Sequence, residues 1–171
     1  VTTMQGYAFD ACHDLVTLTF GTGLSYVPEY SFRSCYKLKN ITLTESIQAI
    51  YSAAFDSCGS LTSIKFPQSL ISIGYSAFDG CYNLLTVEIP DNITSIGAWA
   101  FSNCGKLHTV KLGCNVQFIN SKTFWGCTRL KNIIVPQENT YFTSIDGNLY
   151  TKDASSLIQY ALGKTESTFT V

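Results

Sequence analysis

Six phenylalanines recur along this chain at a constant spacing of 23 residues, and each is followed by a cysteine three positions later. When each phenylalanine is numbered position 0, position 6 is leucine in every repeat, and positions 9, 11, 15 and 18 are almost always aliphatic or aromatic. A fixed period of about 20 to 50 residues is typical of solenoids and other repeat arrays. The pattern therefore predicts successive coils built on these phenylalanines: Phe9, Phe32, Phe55, Phe78, Phe101 and Phe124.

The spacing of apolar residues changes within each repeat, which predicts two kinds of local structure. Positions 9 and 11 alternate with polar residues at 8 and 10, as in 86–89 and 109–112, and this is the period of a β-strand. A proline or glycine at position 12 ends the strand in five of the six repeats. The small residue before each phenylalanine, the phenylalanine and the cysteine have the i, i+1, i+4 spacing of one helical face. Each coil is therefore expected to contain a short strand, a second extended edge and about one turn of α- or 3₁₀-helix.

Stacking of such coils explains how they become stable. Neighbouring strands would lie about 4.8 Å apart and pair into a parallel sheet. A single coil cannot cover both of its apolar faces, so stability depends on its neighbours. The prediction is an α/β solenoid. It is a right-handed coil of 23-residue repeats, with a parallel sheet on one face and short helical or 3₁₀ turns on the other.

The regular repeat covers residues 1–138, and residues 139–171 depart from it. Asn139 replaces the aliphatic residue of position 15, and no further Phe-x-x-Cys follows. Turn-forming pairs at 146–147 and 152–153 flank two short apolar runs, which predicts a β-hairpin in an atypical coil. Phe169 and Val171 are expected to begin the next strand. Because the chain opens and closes in mid-coil, residues 1–171 are predicted to be one domain and a fragment of a longer array.

Composition narrows the range of partners. Hydrophobic residues make up 46% of the chain and charged residues 13%, about half the usual charged share. The formal net charge is −1, which argues against the basic footprint that a nucleic acid or an anionic membrane requires. No apolar run is long enough for a membrane-spanning helix. Neither a nucleic acid partner nor direct membrane insertion of this segment is expected.

The coil LTVEIPDNITSIGAWAFSNCGKL, residues 85–107, resembles the BspA-like leucine-rich repeats. The resemblance covers residues 1–138 at nearly every apolar position, and the segment SIDGNLYTKDASSLIQYALGKT is similar to the aberrant coil found between blocks of these repeats. The resemblance implies a cell-surface or secreted protein with a role in adhesion to host proteins, cell aggregation or recognition. It implies no catalysis and no cofactor.

The seven cysteines have three possible interpretations. A zinc site needs short pairs such as Cys-x-x-Cys, which a spacing of 23 residues does not supply. Disulfides between neighbouring coils are within bridging distance, but side chains in register point in parallel, which disfavours a relaxed bridge. A column of buried free thiols is the favoured interpretation, because free cysteine packs as a small hydrophobe. No metal site is expected.

No set of residues predicts an enzyme. A cysteine nucleophile needs a histidine within hydrogen-bonding reach, whereas Cys114 and His108 are separated by six residues, about 20 Å of extended chain. Cys12 and His13 are sequence neighbours whose side chains are expected to diverge. No phosphate-binding loop or hydrolase motif occurs.

Two surfaces are candidates for docking. The first is the row of outward positions 8 and 10, which contains Ser63, Lys65, Thr86, Glu88, Thr109 and Lys111. Solenoids bind partners on such extended faces, although small polar residues also simply suit exposed strands. The second is an aromatic rim at position 21, formed by Tyr7, Tyr30 and Trp99, unless those rings pack between coils. Asn40 and Asn92 begin Asn-x-Thr triplets and are possible N-glycosylation sites.

The favoured function is an extracellular protein–protein interaction module for adhesion to, or recognition of, a host or cell-surface protein by a microbial surface protein. Two alternatives are left open at this point: a structural spacer or self-assembling surface array, and a glycan-binding module.

Overall fold

The computed structural model describes residues 1–120, 122–165 and 168. Within these ranges the chain forms a solenoid built only from short strands and turns. The strands are β1 Thr17–Thr19, β2 Tyr26–Val27, β3 Asn40–Thr42, β4 Ala49–Ile50, β5 Ser72–Ile73, β6 Thr86–Glu88, β7 Ser95–Ile96, β8 Thr109–Lys111, β9 Phe118–Ile119, β10 Asn132–Ile134, β11 Phe142–Ile145, β12 Asn148–Thr151 and β13 Leu157–Gln159.

The predicted strands at positions 8–10 are present and parallel in five of the six coils, and residues 63–65 of the third coil form no strand. β1 pairs with β3, and β6, β8 and β10 form a second sheet with β8 at its centre. Their register keeps equivalent positions together, with Thr86 beside Thr109 and Glu88 beside Lys111. The prediction of a parallel sheet with a 23-residue repeat is therefore confirmed. We call the outer surface of these strands the strand face.

The second extended edge of each coil also pairs with its neighbours. β2, β4, β5, β7 and β9 form a five-stranded parallel sheet in that order. Each of these strands is two residues long and ends on the aliphatic residue of position 18, for example Ile50, Ile73 and Ile96. The solenoid therefore has two sheet faces instead of the single one predicted.

A column of phenylalanine rings runs through the centre of the solenoid. Phe78 is fully buried, and its ring stacks on Phe55 at 5.3 Å and on Phe101 at 5.4 Å between centroids. The same stacking joins all six phenylalanines of the repeat, although Phe9 in the first coil is exposed. The 23-residue spacing thus marks successive coils around an apolar interior.

The predictions of helical turns and of an α/β class are wrong, because the described residues contain no helix. The segment around each phenylalanine contains left-handed residues, such as Ala53 with φ 51° and Ser57 with φ 60°. These residues let alternate N–H groups point toward the next coil, where Phe55 donates to the Ala77 carbonyl at 2.9 Å and Ser57 to the Asp79 carbonyl at 2.7 Å. A helix would instead direct all these donors along its own axis.

Residues 139–165 form the atypical coil, and its predicted hairpin is present. β11, β12 and β13 form an antiparallel sheet with turns at 146–147 and 152–153. Asn139, which interrupts the aliphatic pattern, is fully buried and is held by hydrogen bonds. Phe169 and Val171, predicted to begin the next strand, lie outside the described residues. In the described part of the chain, no helix has the length and apolar character needed to cross a membrane.

Candidate docking surface

The strand face carries two rows of outward side chains. We call the predicted set Ser63, Lys65, Thr86, Glu88, Thr109 and Lys111 the strip. Five of its members are exposed, and Thr109 is half-buried. Alternation along each strand explains this exposure, because Val87 and Val110 between them point into the core. The rows therefore present hydroxyl and charged groups at a regular spacing.

An ion pair crosses the strip between neighbouring coils. Lys111 Nζ donates to Glu88 Oε1 at 2.6 Å, and both side chains are more than half exposed. An exposed pair of this kind contributes at most about 1 kcal/mol to stability. Its main effect is to fix a positive and a negative group side by side on an accessible surface. Such a pattern favours a partner with complementary charges.

The strip is not continuous in its backbone. Residues 63–65 form no strand, and they separate the β1–β3 sheet from the β6–β8–β10 sheet. Leu85 N–H donates to the Thr62 carbonyl just before this gap. A groove of about 390 Å³ opens there, lined by Lys65 on one side and by Thr86 and Glu88 on the other. The strip thus contains a recess between the third and fourth coils of the solenoid.

The predicted aromatic rim begins with a stacked pair of tyrosines. Tyr7 and Tyr30 lie 4.8 Å apart with nearly parallel rings. The Arg33 guanidinium lies over both rings, at 5.7 and 5.3 Å, and forms two hydrogen bonds with the Asp10 carboxylate. These hydrogen bonds lower the pKa of Asp10. The first part of the rim is therefore a layered, partly exposed group rather than two separate rings.

Trp99 does not join that group. Ala53 and Ser76 occupy position 21 in the two intervening coils, so the aromatic column is interrupted. Trp99 instead contacts Trp125, with ring centroids 5.6 Å apart, and Lys122 Nζ lies 4.7 Å above its ring. The structure therefore divides the predicted rim into two separate aromatic groups.

Both Asn-x-Thr triplets lie on the surface. Asn40 is exposed and begins β3 on the strand face, next to the strip. Asn92 is also exposed, and its side-chain amide donates to the Gln68 carbonyl. Glycosylation of Asn92 would have to displace this hydrogen bond, whereas no hydrogen bond of the described residues holds the Asn40 side chain. Modification of either residue stays a prediction.

The column cysteines donate hydrogen bonds into the core. All seven cysteines are free thiols, and those at 35, 58, 81, 104 and 127 are buried. Each of these five has its sulfur 3.1–3.4 Å from the carbonyl of the preceding coil's phenylalanine. Burial raises the pKa of the Cys35 thiol to about 11. These thiols therefore act as packing groups and weak donors.

The residues considered for catalysis have separate partners. His108 Nδ1 lies 3.0 Å from Thr109 Oγ1, while the Cys114 N–H donates to Asp91. His13 stacks on Tyr36 at 4.8 Å and contacts the Ser34 carbonyl through Nδ1. Among the described residues, no group of three or more His, Cys, Asp or Glu side chains is placed to hold a metal ion.

One surface feature lies outside the two predicted docking surfaces. Basic side chains at positions 5 and 7 of the fifth and sixth coils line a groove of about 540 Å³, which we call the basic groove: Lys106, His108, Arg129 and Lys131. The signal was present in the sequence as two basic pairs, each with the 23-residue spacing. A comparison of charges position by position across the repeats would have found it.

A family model matches most of the chain. The model for the BspA type leucine rich repeat region fits in six copies, over residues 1–62 and 48–152. Among curated proteins, none matches the sequence.

Three solved structures illustrate the fold. A Treponema pallidum leucine rich repeat protein is 32% identical, with a TM-score of 0.75 over 77% of this chain and 61% of its own. A leucine-rich repeat protein from Bacteroides ovatus is 29% identical, with a TM-score of 0.63 over 80% of this chain and 41% of its own. The pneumococcal vaccine antigen PcpA, 24% identical, matches 96% of this chain with a TM-score of 0.67 and shows the fold alone. This chain spans 61%, 41% and 51% of their respective lengths.

Proposed function

Because the chain belongs to the BspA type leucine-rich repeat family, we propose that it is an extracellular protein–protein interaction module of a microbial surface protein. Its partner is a host or cell-surface protein, which docks on the strip and results in adhesion or recognition. The family match supports a cell-surface or secreted location. No cofactor takes part.

One observation carries this proposal: exposed and half-buried polar residues of successive coils stand in register on the strand face. Thr86 lies beside Thr109, and Glu88 lies beside Lys111, in strands whose intervening residues are buried. The backbone of these strands is fixed by pairing, so little conformational entropy is lost when a partner binds. Repeat proteins bind partners on extended surfaces of this kind.

The recess at residues 63–65 makes this surface concave at one place. Lys65 and Glu88 line opposite sides of the groove and carry opposite charges. A partner side chain that enters the recess would meet both groups together with the Thr86 hydroxyl. Shape and charge are therefore combined at one place on the strip, where a protein partner gains specificity.

A charge exchange tests the proposal without disturbing the fold. The double variant Glu88→Lys with Lys111→Glu reverses both charges but keeps an opposite pair across β6 and β8. Binding of the chain to intact host cells, measured by flow cytometry, is expected to fall at least about tenfold, since charge reversal at an interface costs several kcal/mol. Protease treatment of the cells is expected to remove binding as well.

The matched control is Asp14→Lys with Lys37→Asp, which exchanges an exposed ion pair at position 5, outside the strip. This control should bind like the parent chain. Equal loss in both double variants, or binding that survives protease treatment, would contradict the proposal. Light scattering over a concentration series should show a monomer, because self-association would indicate a surface array instead.

A further inference from the structure

The basic groove brings together positive groups from two coils. Lys106 and Arg129 occupy position 5 of successive coils, and His108 and Lys131 occupy position 7. Position 6 between them is a buried leucine, so the flanking side chains point outward. All four line the same groove of about 540 Å³. Equivalent residues of adjacent coils are about 4.8 Å apart along the stack, so the charges of Lys106 and Arg129 at position 5 are close neighbours.

Charged residues elsewhere in the repeat are paired across the same spacing with opposite signs. Asp10 pairs with Arg33, Asp14 with Lys37, and Glu88 with Lys111, each 23 residues apart. At position 5 the first two coils therefore carry a complementary pair. The fifth and sixth coils carry two cations at that position instead. Like charges placed directly opposite each other are destabilising.

Within the described ranges, these cations lack the acidic ion-pair partners that other coils supply. Among the residues that the structure describes, Lys106, Arg129 and Lys131 form no ion pair. Lys106 Nζ lies 5.8 Å from the centre of the Tyr82 ring, which is exposed. A bound anion would remove the repulsion, and a concave site focuses the positive potential toward it.

The surroundings of the groove select among anionic partners. Thr128 and Asn132 contribute a hydroxyl and an amide to its lining, and Leu85 contributes the only large apolar side chain among the described lining residues. A second groove of about 760 Å³ adjoins it through Lys131, Asn132 and Gly163, and contains Lys164 and Asp146. The larger apolar and aromatic side chains of the two grooves, Ile145, Tyr150 and Tyr160, line the second groove and not the basic groove. The basic groove itself therefore offers little apolar surface for the anchors that peptide binding favours.

We propose that the basic groove binds an acidic polysaccharide, a chain of sugars that carries sulfate or carboxylate groups. Lys106, Arg129 and Lys131 contact the anionic groups, Thr128 and Asn132 hydrogen-bond with hydroxyls, and the exposed Tyr82 ring packs against a sugar face. This site lies outside the strip, and the inference goes beyond the proposed function without resting on it.

Binding of heparin and of chondroitin sulfate by isothermal titration tests the inference. The triple variant Lys106→Ser, Arg129→Asn and Lys131→Thr introduces residue types that other coils carry at positions 5 and 7. Affinity at low salt is expected to fall roughly a hundredfold, since each cation near an anionic surface is worth about a fivefold change. Binding by the parent chain should also weaken steeply as salt is raised.

The matched control removes three positive charges from the first three coils, as Lys37→Ser, Lys39→Thr and Lys65→Thr. It has the same net charge as the triple variant and should retain binding within about threefold, because distant exposed charges are screened. Circular dichroism should show that both variants fold. The inference would be overturned if neither heparin nor chondroitin sulfate bound the parent chain. It would also be overturned if both variants lost affinity equally, or if polyglutamate bound as tightly as the polysaccharides.

Discussion

The thiol of Cys81 donates a hydrogen bond to the carbonyl of Phe55, a residue 26 positions earlier, over 3.3 Å. The same carbonyl accepts the N–H of Cys58 in its own coil at 3.3 Å. The carbonyls of four phenylalanines join the cysteines of two coils in this way, while their rings stack on the next phenylalanine: Phe9, Phe32, Phe55 and Phe78. The repeated Phe-x-x-Cys sequence therefore holds neighbouring coils together through both backbone and side chain.

The buried thiols predict a loss of stability at alkaline pH. Burial raises the pKa values of Cys35, Cys58 and Cys81 above their usual value near 9, and for Cys104 the Cys127 thiol and burial together do so. Above pH 9 the unfolded chain loses these protons while the folded chain keeps them. Each such thiol then lowers the free energy of unfolding by about 1.4 kcal/mol per pH unit. Urea unfolding at pH 8 to 11 should show the decline, with Cys35 contributing up to about pH 11.

The double variant Cys58→Ser with Cys81→Ser is the control for this decline. Serine retains a donor but does not ionise in this range. The slope above pH 9 is expected to be shallower by about 3 kcal/mol per pH unit. An unchanged slope would mean that other groups cause the alkaline loss.

Removal of a central ring should destabilise the whole solenoid. Phe78 is fully buried and stacked on both sides, so Phe78→Ala is expected to cost about 3–5 kcal/mol. Phe9 is 41% exposed, and among the described residues its ring stacks only on Phe32, so Phe9→Ala should cost about 1–2 kcal/mol. Chemical denaturation monitored by fluorescence would compare the free energies of unfolding of the two variants. Equal costs would contradict the stacked column.

The left-handed turn predicts an unusual response to glycine. Ala53 has φ 51°, a conformation that costs an L-residue about 1–2 kcal/mol. Ala53→Gly removes this strain but adds about 0.5–1 kcal/mol of backbone entropy cost, so it should be neutral or slightly stabilising. Ala54, its buried neighbour, does not have a positive φ, and Ala54→Gly should destabilise by about 1 kcal/mol. Thermal unfolding of the two variants checks the difference, and the reverse order would refute the turn geometry.

Restoring the repeat pattern at position 139 should be harmful. The Asn139 amide donates to the carbonyls of Gly113 and Val116, and its oxygen accepts the N–H groups of Tyr141 and Phe142. Asn139→Leu leaves these buried backbone groups unpaired, at about 1–3 kcal/mol each. A fall of at least about 3 kcal/mol in the free energy of unfolding is expected from denaturant titration. Ile93→Val, at the same position of a regular coil, serves as control with a cost of about 1 kcal/mol. A gain in stability for Asn139→Leu would show that the asparagine is a defect.

The sequence predicted the strands well because alternation of apolar and polar residues has one interpretation in the segments 86–89 and 109–112. The prediction of a helical turn was wrong because the i, i+1, i+4 spacing of Ala77, Phe78 and Cys81 also fits a turn with left-handed residues. Such residues are usually glycine or asparagine, whereas Tyr30 and Trp99 adopt φ of 53° and 62° here. Hydrogen bonds between coils maintain that conformation, and they are not visible in one repeat.

The candidate sites were less predictable than the fold. The outward direction of Thr86 and Glu88 followed from the strand period, but the recess beside Lys65 depends on how coils pair. Trp99 and Tyr30 occupy position 21 of different coils, but they do not lie side by side. The two coils between them carry small residues at that position. Binding depends on the partner as well as on the surface. The repeat sequence alone therefore does not identify a binding site.

Photo-crosslinking from the strip is the most direct test of the central claim that the strand face docks a protein. A benzophenone side chain placed at Thr86 should form adducts with a host or cell-surface protein on intact cells, and these should disappear with the exchange Glu88→Lys and Lys111→Glu. The same probe at Gln48, exposed beside β4 of the other sheet, should form none. Adducts from Gln48 but not from Thr86, or adducts from Thr86 that persist after the charge exchange, would contradict the account.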